Sequence, residues 1–302
     1  MESGTVTFFV AGHRFTVTAP SDLIEQMGNY SRFTCPAFTN EPDDVCVQLF
    51  RLGVNWGVEV PVDYEELLCQ DDEGQQIVCG RITGPTEGGT IFVFKYESRI
   101  AGWLTCSPDY TTARLVLTGW QCKPALDSAI MVLYSLSAAP YGTVLFHASA
   151  VCLDGKGYMF LGKSGTGKST HSRLWLENVT GSSLFNDDNP VVRVLSDGTV
   201  RVFGSPWSGK TPCYHNISYP LAALVKLNQA PFNRIDRLVG VTAYAAVIPG
   251  VSGIRWDRHI ADGLHNTENS IVRTVPVWSL ECLPDAEAAR LCSDTVTLKS
   301  DS

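Results

Sequence analysis

A chain of 302 residues with 44% hydrophobic and 18% charged side chains has the composition of a globular protein, with one large core or two ordinary ones. Its formal net charge of -8 excludes a surface built for duplex nucleic acid or an anionic membrane, but not a local site for a small anion. No basic start followed by an apolar run opens the chain, and the most apolar stretch, Ala129 to Phe146, is broken by Ser135, Ser137, Pro140 and Gly142. The expectation is a cytoplasmic protein with no signal peptide and no membrane span. Ten cysteines occur without a C-x-x-C pair, which predicts mostly buried thiols and neither disulfides nor a cysteine zinc site.

The first third predicts short strands separated by turns: Thr5–Val10, Arg14–Thr18, Asp44–Phe50, Gln76–Ile82, Thr90–Phe94 and Arg114–Leu117. A helix over Ala125–Ala138 follows, opened by Pro124 and closed by Pro140. The texture then changes. Val144–Phe146, Ser149–Leu153 and Tyr158–Leu161 predict strands, the last two joined by a tight turn at Asp154–Gly157. A glycine-rich loop and a helix from Lys168 to Asn178 come next, then a short strand Ser183–Phe185 running into Asn186-Asp187-Asp188. Pro190–Val194 and Thr199–Phe203 flank a turn, Leu221–Leu227 predicts a buried strand, and Arg234–Val247 and Pro284–Cys292 predict helices. The fold class is therefore α/β (α+β overall). A β-rich region over residues 1–120 precedes a nucleotide-binding region over 121–302.

Gly162-Lys163-Ser164-Gly165-Thr166-Gly167-Lys168-Ser169 satisfies the Walker-A pattern G-x-x-x-x-G-K-[ST], with an apolar strand before it and a helix after it. Glycines permit the backbone conformations that bring amides close to phosphates, and a helix N-terminus adds a favourable field for anions. Lys168 supplies a point charge to the β- and γ-phosphates, Ser169 offers a hydroxyl to Mg²⁺, and Thr170 extends the ATP-binding run Gly162 to Thr170. A second stretch, Gly204 to Thr211, fits the same letters. Pro206 and Trp207 replace small residues there, and Pro212 keeps Thr211 out of the helical region, so it reads as a decoy whose Lys210 could enter the site from another direction.

Asp187 and Asp188 follow Lys168 at the end of a strand, where ligands of open α/β sheets bind. Phosphoryl transfer needs a carboxylate for the metal and another to take a proton, and two adjacent carboxylates can divide that work. His147 ends the apolar strand before the loop; a lone histidine at a strand end is more often structural than catalytic.

H-A-S-A-V from His147, the D-G-K-G turn, L-G-K-S-G-T-G-K-S-T and N-D-D together resemble the catalytic domain of the HPr serine kinase/phosphorylase family, over His147 to Lys210. The loop and aspartate pair are also similar to those of ATP-dependent phosphoenolpyruvate carboxykinase. The resemblance implies a P-loop domain in which His147 lies near the phosphates, Asp187 is the base and Asp188 assists with metal. By analogy it also implies a homo-oligomer. The downstream signature carrying a metal-binding glutamate is absent, which separates this chain from kinases acting on HPr itself. The expected activity is transfer of the γ-phosphoryl of ATP to a hydroxyl of a protein, peptide or small molecule. The alternatives are a carboxykinase-type lyase, for which Arg255 and Arg258 are the suggestive cluster, and a non-catalytic nucleotide-binding module.

Overall fold

The structure, a computed structural model, describes residues 2–34, 46–58, 62–72, 74–83, 89–209 and 211–297. The chain divides into two compact units, Met1–Ser137 and Ala138–Ser302, each with its own sheet. The molecule is mixed α/β and rich in strands. Among the described residues no helix is long and apolar enough to cross a membrane. The described cysteines are all unbridged, and Cys79, Cys106, Cys152, Cys213 and Cys292 are buried.

In the first unit the strands are β1 (Ser3–Val10), β2 (His13–Pro20), β3 (Gln48–Trp56), β4 (Tyr64–Asp72), β5 (Gln75–Ile82), β6 (Thr90–Tyr96), β7 (Arg99–Cys106) and β8 (Thr112–Leu117). The helices are α1 (Ser21–Glu25) and α2 (Cys122–Ala138). The sheet order is β1-β2-β3-β8-β7-β6-β5-β4; β3 runs parallel to both β2 and β8, and every other pairing is antiparallel. Alternation along the strands creates two apolar faces. One carries Phe8, Phe15 and Phe50, with Phe15 stacked on Phe50 at 4.9 Å. The other carries Val78, Ile91, Val93, Trp103 and Val116. Helix α2 covers the first face: the Tyr134 ring meets Phe15 edge-on, and its hydroxyl donates to the Val10 carbonyl at 3.0 Å. Those contacts attach α2 to the first unit, whereas a division near residue 120 would assign it to the second.

The second unit contains β9 (Thr143–Leu145), β10 (Ala148–Leu153), β11 (Lys156–Leu161), β12 (Ser183–Asp188), β13 (Val191–Val194), β14 (Val200–Phe203), β15 (Ser218–Gln229), β16 (Arg234–Leu238) and β17 (Val277–Cys282). Its helices are α3 (Lys168–Asn178), α4 (Gly240–Val247), α5 (Arg258–Thr274) and α6 (Ala286–Thr297). The sheet runs β12-β10-β11-β15-β14-β13-β9, with β17 and then β16 added beside β15. The long strand β15 is the organiser. It pairs parallel with β11 on one side and β17 on the other, while its first residues pair antiparallel with β14. The C-terminal ends of three parallel strands therefore lie side by side, which is where α/β sheets present ligand sites.

Helix α3 buries Lys168, His171, Ser172 and Trp175, the i, i+3, i+4, i+7 spacing of one helical face. Trp175 packs against Phe160 and Tyr158, and α6 adds Ala289, Cys292 and Val296 to the same core. The turn between β10 and β11 has positive φ at both Asp154 (50°) and Gly155 (72°), the type I′ geometry whose twist suits a two-residue hairpin.

The helix expected over Arg234–Val247 is two elements. Arg234–Leu238 pairs along β17 as an edge strand, and Gly240, at φ 54°, turns the chain into α4. Five further elements had no counterpart in the sequence reading: α1, β4, β7, α5 and β17. Of the strand expected at Asp44–Phe50, Asp44 and Val45 lie outside the described residues, and the strand itself begins at Gln48.

Candidate functional site

The loop between β11 and α3 opens at Gly162, where φ is 158°, and turns through Gly165 (φ 77°) and Gly167 (φ 105°). At Gly165 and Gly167 a side chain would force the backbone into a strained region, so glycine is required for the path itself. Gly167 is the residue that starts α3, and no side chain caps the helix. The first helical hydrogen bond runs from His171 N to Gly167 O at 2.8 Å, so the amides of Lys168, Ser169 and Thr170 have no partner within the helix. Three N–H groups at a positive helix end form an anion-binding concavity.

Lys168 is almost buried, 8% exposed, because its stem lies along the core face of α3. Its Nζ lies 2.7 Å from His147 Nε2 and donates to the carbonyls of Gly162 at 3.0 Å and Lys163 at 3.3 Å. An ammonium can only donate, so His147 Nε2 accepts and the ring proton sits on Nδ1. Nδ1 in turn lies 3.1 Å from Asp188 Oδ1. The result is a chain of contacts from the loop lysine through an oriented imidazole to a carboxylate.

His147 lies between β9 and β10, and its backbone N–H donates to Gly250 O at 2.7 Å. The neighbouring Phe146 bridges to Val251, so the chain after α4 fixes the histidine's backbone. The candidate histidine is thus brought to the loop by the sheet.

The aspartates separate in environment. Asp187 is 4% exposed and accepts from the Ser169 hydroxyl at 2.9 Å. Asp188 is more open, meets His147, and accepts from Asn189 Nδ2 at 2.7 Å. Its backbone φ of 136° is left-handed-side geometry for a residue with a side chain, a strain of about 1–3 kcal/mol that the surroundings must hold in place.

What holds it is the segment Gly204–Gly209. Asp188 bridges to Ser208, while Gly209 N and Ser208 Oγ both donate to the Asp187 carbonyl, at 2.6 and 3.1 Å. A Cβ on Gly209 would crowd that carbonyl and the Asp188 side chain at 3.3 Å, so glycine here permits the close approach. Behind it the buried Ser205 hydroxyl donates to Asn189 O at 2.6 Å and accepts from Asn186 Nδ2 at 3.1 Å. Asn186 Oδ1 accepts from Asn189 N at 3.0 Å, closing the network around the aspartates. A side chain on Gly204 would collide with the His215 carbonyl, so this glycine serves a chain crossing. No helix starts in residues 211–217, and the second pattern match is a bracket for the aspartate pair; its Lys210 lies outside the described residues.

The sequence reading missed Asn186, Asn189, Ser205 and Ser208 as members of the site. A signal for Asn186 was present, since it directly precedes the aspartates; nothing local marks Ser205. Arg255 and Arg258 are engaged elsewhere. Arg255 pairs at 2.6 Å with the fully buried Glu268, which also accepts from the Tyr244 hydroxyl, and Arg258 lies 3.7 Å from Asp262 on its own helix.

For a magnesium ion the donor chemistry fits: Ser169 Oγ and the Asp187 carboxylate are adjacent hard oxygen donors. Among the described residues no group of three His, Cys, Asp or Glu is arranged to hold a metal by itself. Magnesium usually takes only one or two carboxylates and completes its shell with phosphates and water. No protein-family model matches this chain, and no curated protein matches it, so the reading of the site rests on its own geometry.

Proposed function

We propose that this protein is an ATP-dependent phosphotransferase in which Gly162–Thr170 holds the nucleotide's phosphates and the aspartate pair serves transfer of the γ-phosphoryl group to a hydroxyl. One observation carries the reading: a glycine loop that opens onto a helix N-terminus, its lysine and its serine each in direct contact with a second group suited to the same chemistry, His147 and Asp187. Binding an anion would need the loop and Lys168 alone. A strained, accessible carboxylate oriented by a histidine adds nothing to binding, but it is what removal of a proton from an acceptor requires.

The geometry favours a division of labour opposite to the one the family resemblance implies. Asp187 shares its position with the Ser169 hydroxyl and is nearly buried, so it belongs with magnesium, whose charge would offset that of the phosphates. Asp188 is the more exposed, and the Nδ1–H of His147 holds one of its oxygens, so it is the base that meets the acceptor. Lys168 exchanges its loop carbonyls for phosphate oxygens, and His147 keeps its tautomer throughout. A carboxykinase-type lyase gains no support from Arg255, whose guanidinium is committed to Glu268.

The test begins with γ-labelled ATP, magnesium and a cell extract, followed by identification of whatever acquires label. Lys168→Ala should abolish labelling and weaken ATP binding at least tenfold, with the circular dichroism spectrum unchanged. Unaltered ATP affinity in that variant would refute the assignment.

A further inference from the structure

A pocket of about 350 Å³ opens on the flank of the glycine loop away from the aspartates' bracket, within the range of roughly 300–1,000 Å³ typical of small-molecule sites. One wall is the loop itself, Gly165 to Gly167, continued by Thr170 and Leu174 of α3. The other is formed where the chain leaves the parallel strands β15 and β17, with Leu227 at its base and Leu283 and Pro284 at its rim. Leu174, Leu227, Ala230, Leu283 and Pro284 make the greater part of the lining surface apolar. The backbone donors at the rim are already used: Ala230 N donates to Cys282 O at 3.1 Å, Leu283 N donates to Asn233 Oδ1 at 2.8 Å, and Pro284 has no N–H. Gln229, at the end of β15, turns its Nε2 onto the carbonyls of Gly165 and Thr166 at 3.3 and 3.4 Å, which ties this wall to the loop crest. Beneath, the His171 ring packs edge-on against Phe160 and is 3% exposed; burial lowers its pKa to about 4, so it presents an uncharged floor.

From this arrangement we propose that the pocket seats the base of the nucleotide whose phosphates the loop holds, gripping a flat ring by its faces between α3 and the β15 and β17 ends. The proposal rests on the phosphate-loop reading above and extends it to the other end of the ligand. Gly165 to Gly167 wall the pocket and lead directly into the first turn of α3, whose Thr170 also lines it, so a ligand whose anionic end lies at that helix N-terminus can extend its other end into this apolar space. A charged acceptor would find no partner among Leu174, Leu227, Leu283 and Pro284, whereas an aromatic ring loses little by leaving water there.

The experiment compares two probes, Mg-ATP and inorganic magnesium tripolyphosphate, by calorimetric titration into the full chain and two variants. Ala230→Phe fills the pocket from its rim, and Leu283→Ala removes a face of the seat. The wild-type protein should bind ATP at least tenfold more tightly than tripolyphosphate. In Ala230→Phe, ATP affinity should fall about tenfold toward that of tripolyphosphate, with tripolyphosphate binding unchanged; Leu283→Ala should lose several-fold for ATP alone. Unchanged ATP affinity in both variants, with tripolyphosphate still bound, would overturn the base seat and leave the phosphate loop standing. Failure of the wild-type protein to bind either probe would overturn the phosphate-loop reading, and the base seat with it.

Discussion

Two carboxylates joined by a single peptide bond ordinarily share an environment, but Asp187 and Asp188 do not. The strand alternation of β12 and the φ of 136° at Asp188 send one side chain inward to Ser169 and the other toward His147. That separation makes their roles testable. Asp187→Asn should raise the Mg²⁺ concentration needed for half-maximal rate, since a neutral amide is a weaker ligand for a hard cation. Asp188→Asn should lower turnover by about 10²–10⁴-fold, the usual range for loss of a general base, with little change in Mg-ATP affinity. Initial rates titrated with Mg²⁺ distinguish the two. The opposite pattern would restore the division that the family resemblance implies, and full turnover in both variants would remove the pair from the mechanism.

Helix α3 is the element on which both the loop and the core depend. Its N-terminus is left open by Gly167, while its buried face carries Lys168, His171, Ser172 and Trp175 into the sheet. Ser172 is satisfied by Ser149 at 2.6 Å, but among the described residues Nε2 of His171 has no hydrogen-bond partner. Burial favours the neutral ring, moving its pKa from 6.5 to about 4. The unfolded chain therefore binds a proton at this residue below about pH 6.5, and the folded chain only near pH 4. The sign follows: this contribution to stability is fully present above pH 6.5 and is lost as pH falls toward 4, to a total of order 3 kcal/mol. His171→Phe should make thermal unfolding less sensitive to acid between pH 6.5 and 4. An unchanged difference in Tm across that interval would show that His171 does not govern it.

For the whole molecule, every site residue falls in Ala138–Ser302, and the core that supports α3 lies entirely within that unit. Residues 138–302 expressed alone should therefore bind ATP within about threefold of the full chain; loss of binding by a folded fragment would assign the first unit a part in the site. How much of this was legible beforehand differs between elements. The loop, the bounds of α3 and the hairpin turn are local: glycines set φ, a helix follows within a few residues, and an Asp-Gly pair selects its own turn. The nature of Arg234–Leu238 was not local, because its strand conformation comes from pairing with β17, far along the chain. Helix α5 had a readable start in Asp257, whose carboxylate accepts from His259 and Ile260 N–H, but Glu268 on its buried face hid the apolar pattern until Arg255 and Tyr244 were seen to satisfy it. The sequence by itself determined the phosphate-loop pattern, its strand-to-helix setting and the presence of two carboxylates beyond it, since each depends on residues adjacent in the chain. Only the tertiary structure decided that His147 bridges Lys168 and Asp188, that Ser169 faces Asp187, and that Gly204–Gly209 braces the pair, because side-chain distances between strands are fixed by sheet register and packing, which no local spacing encodes.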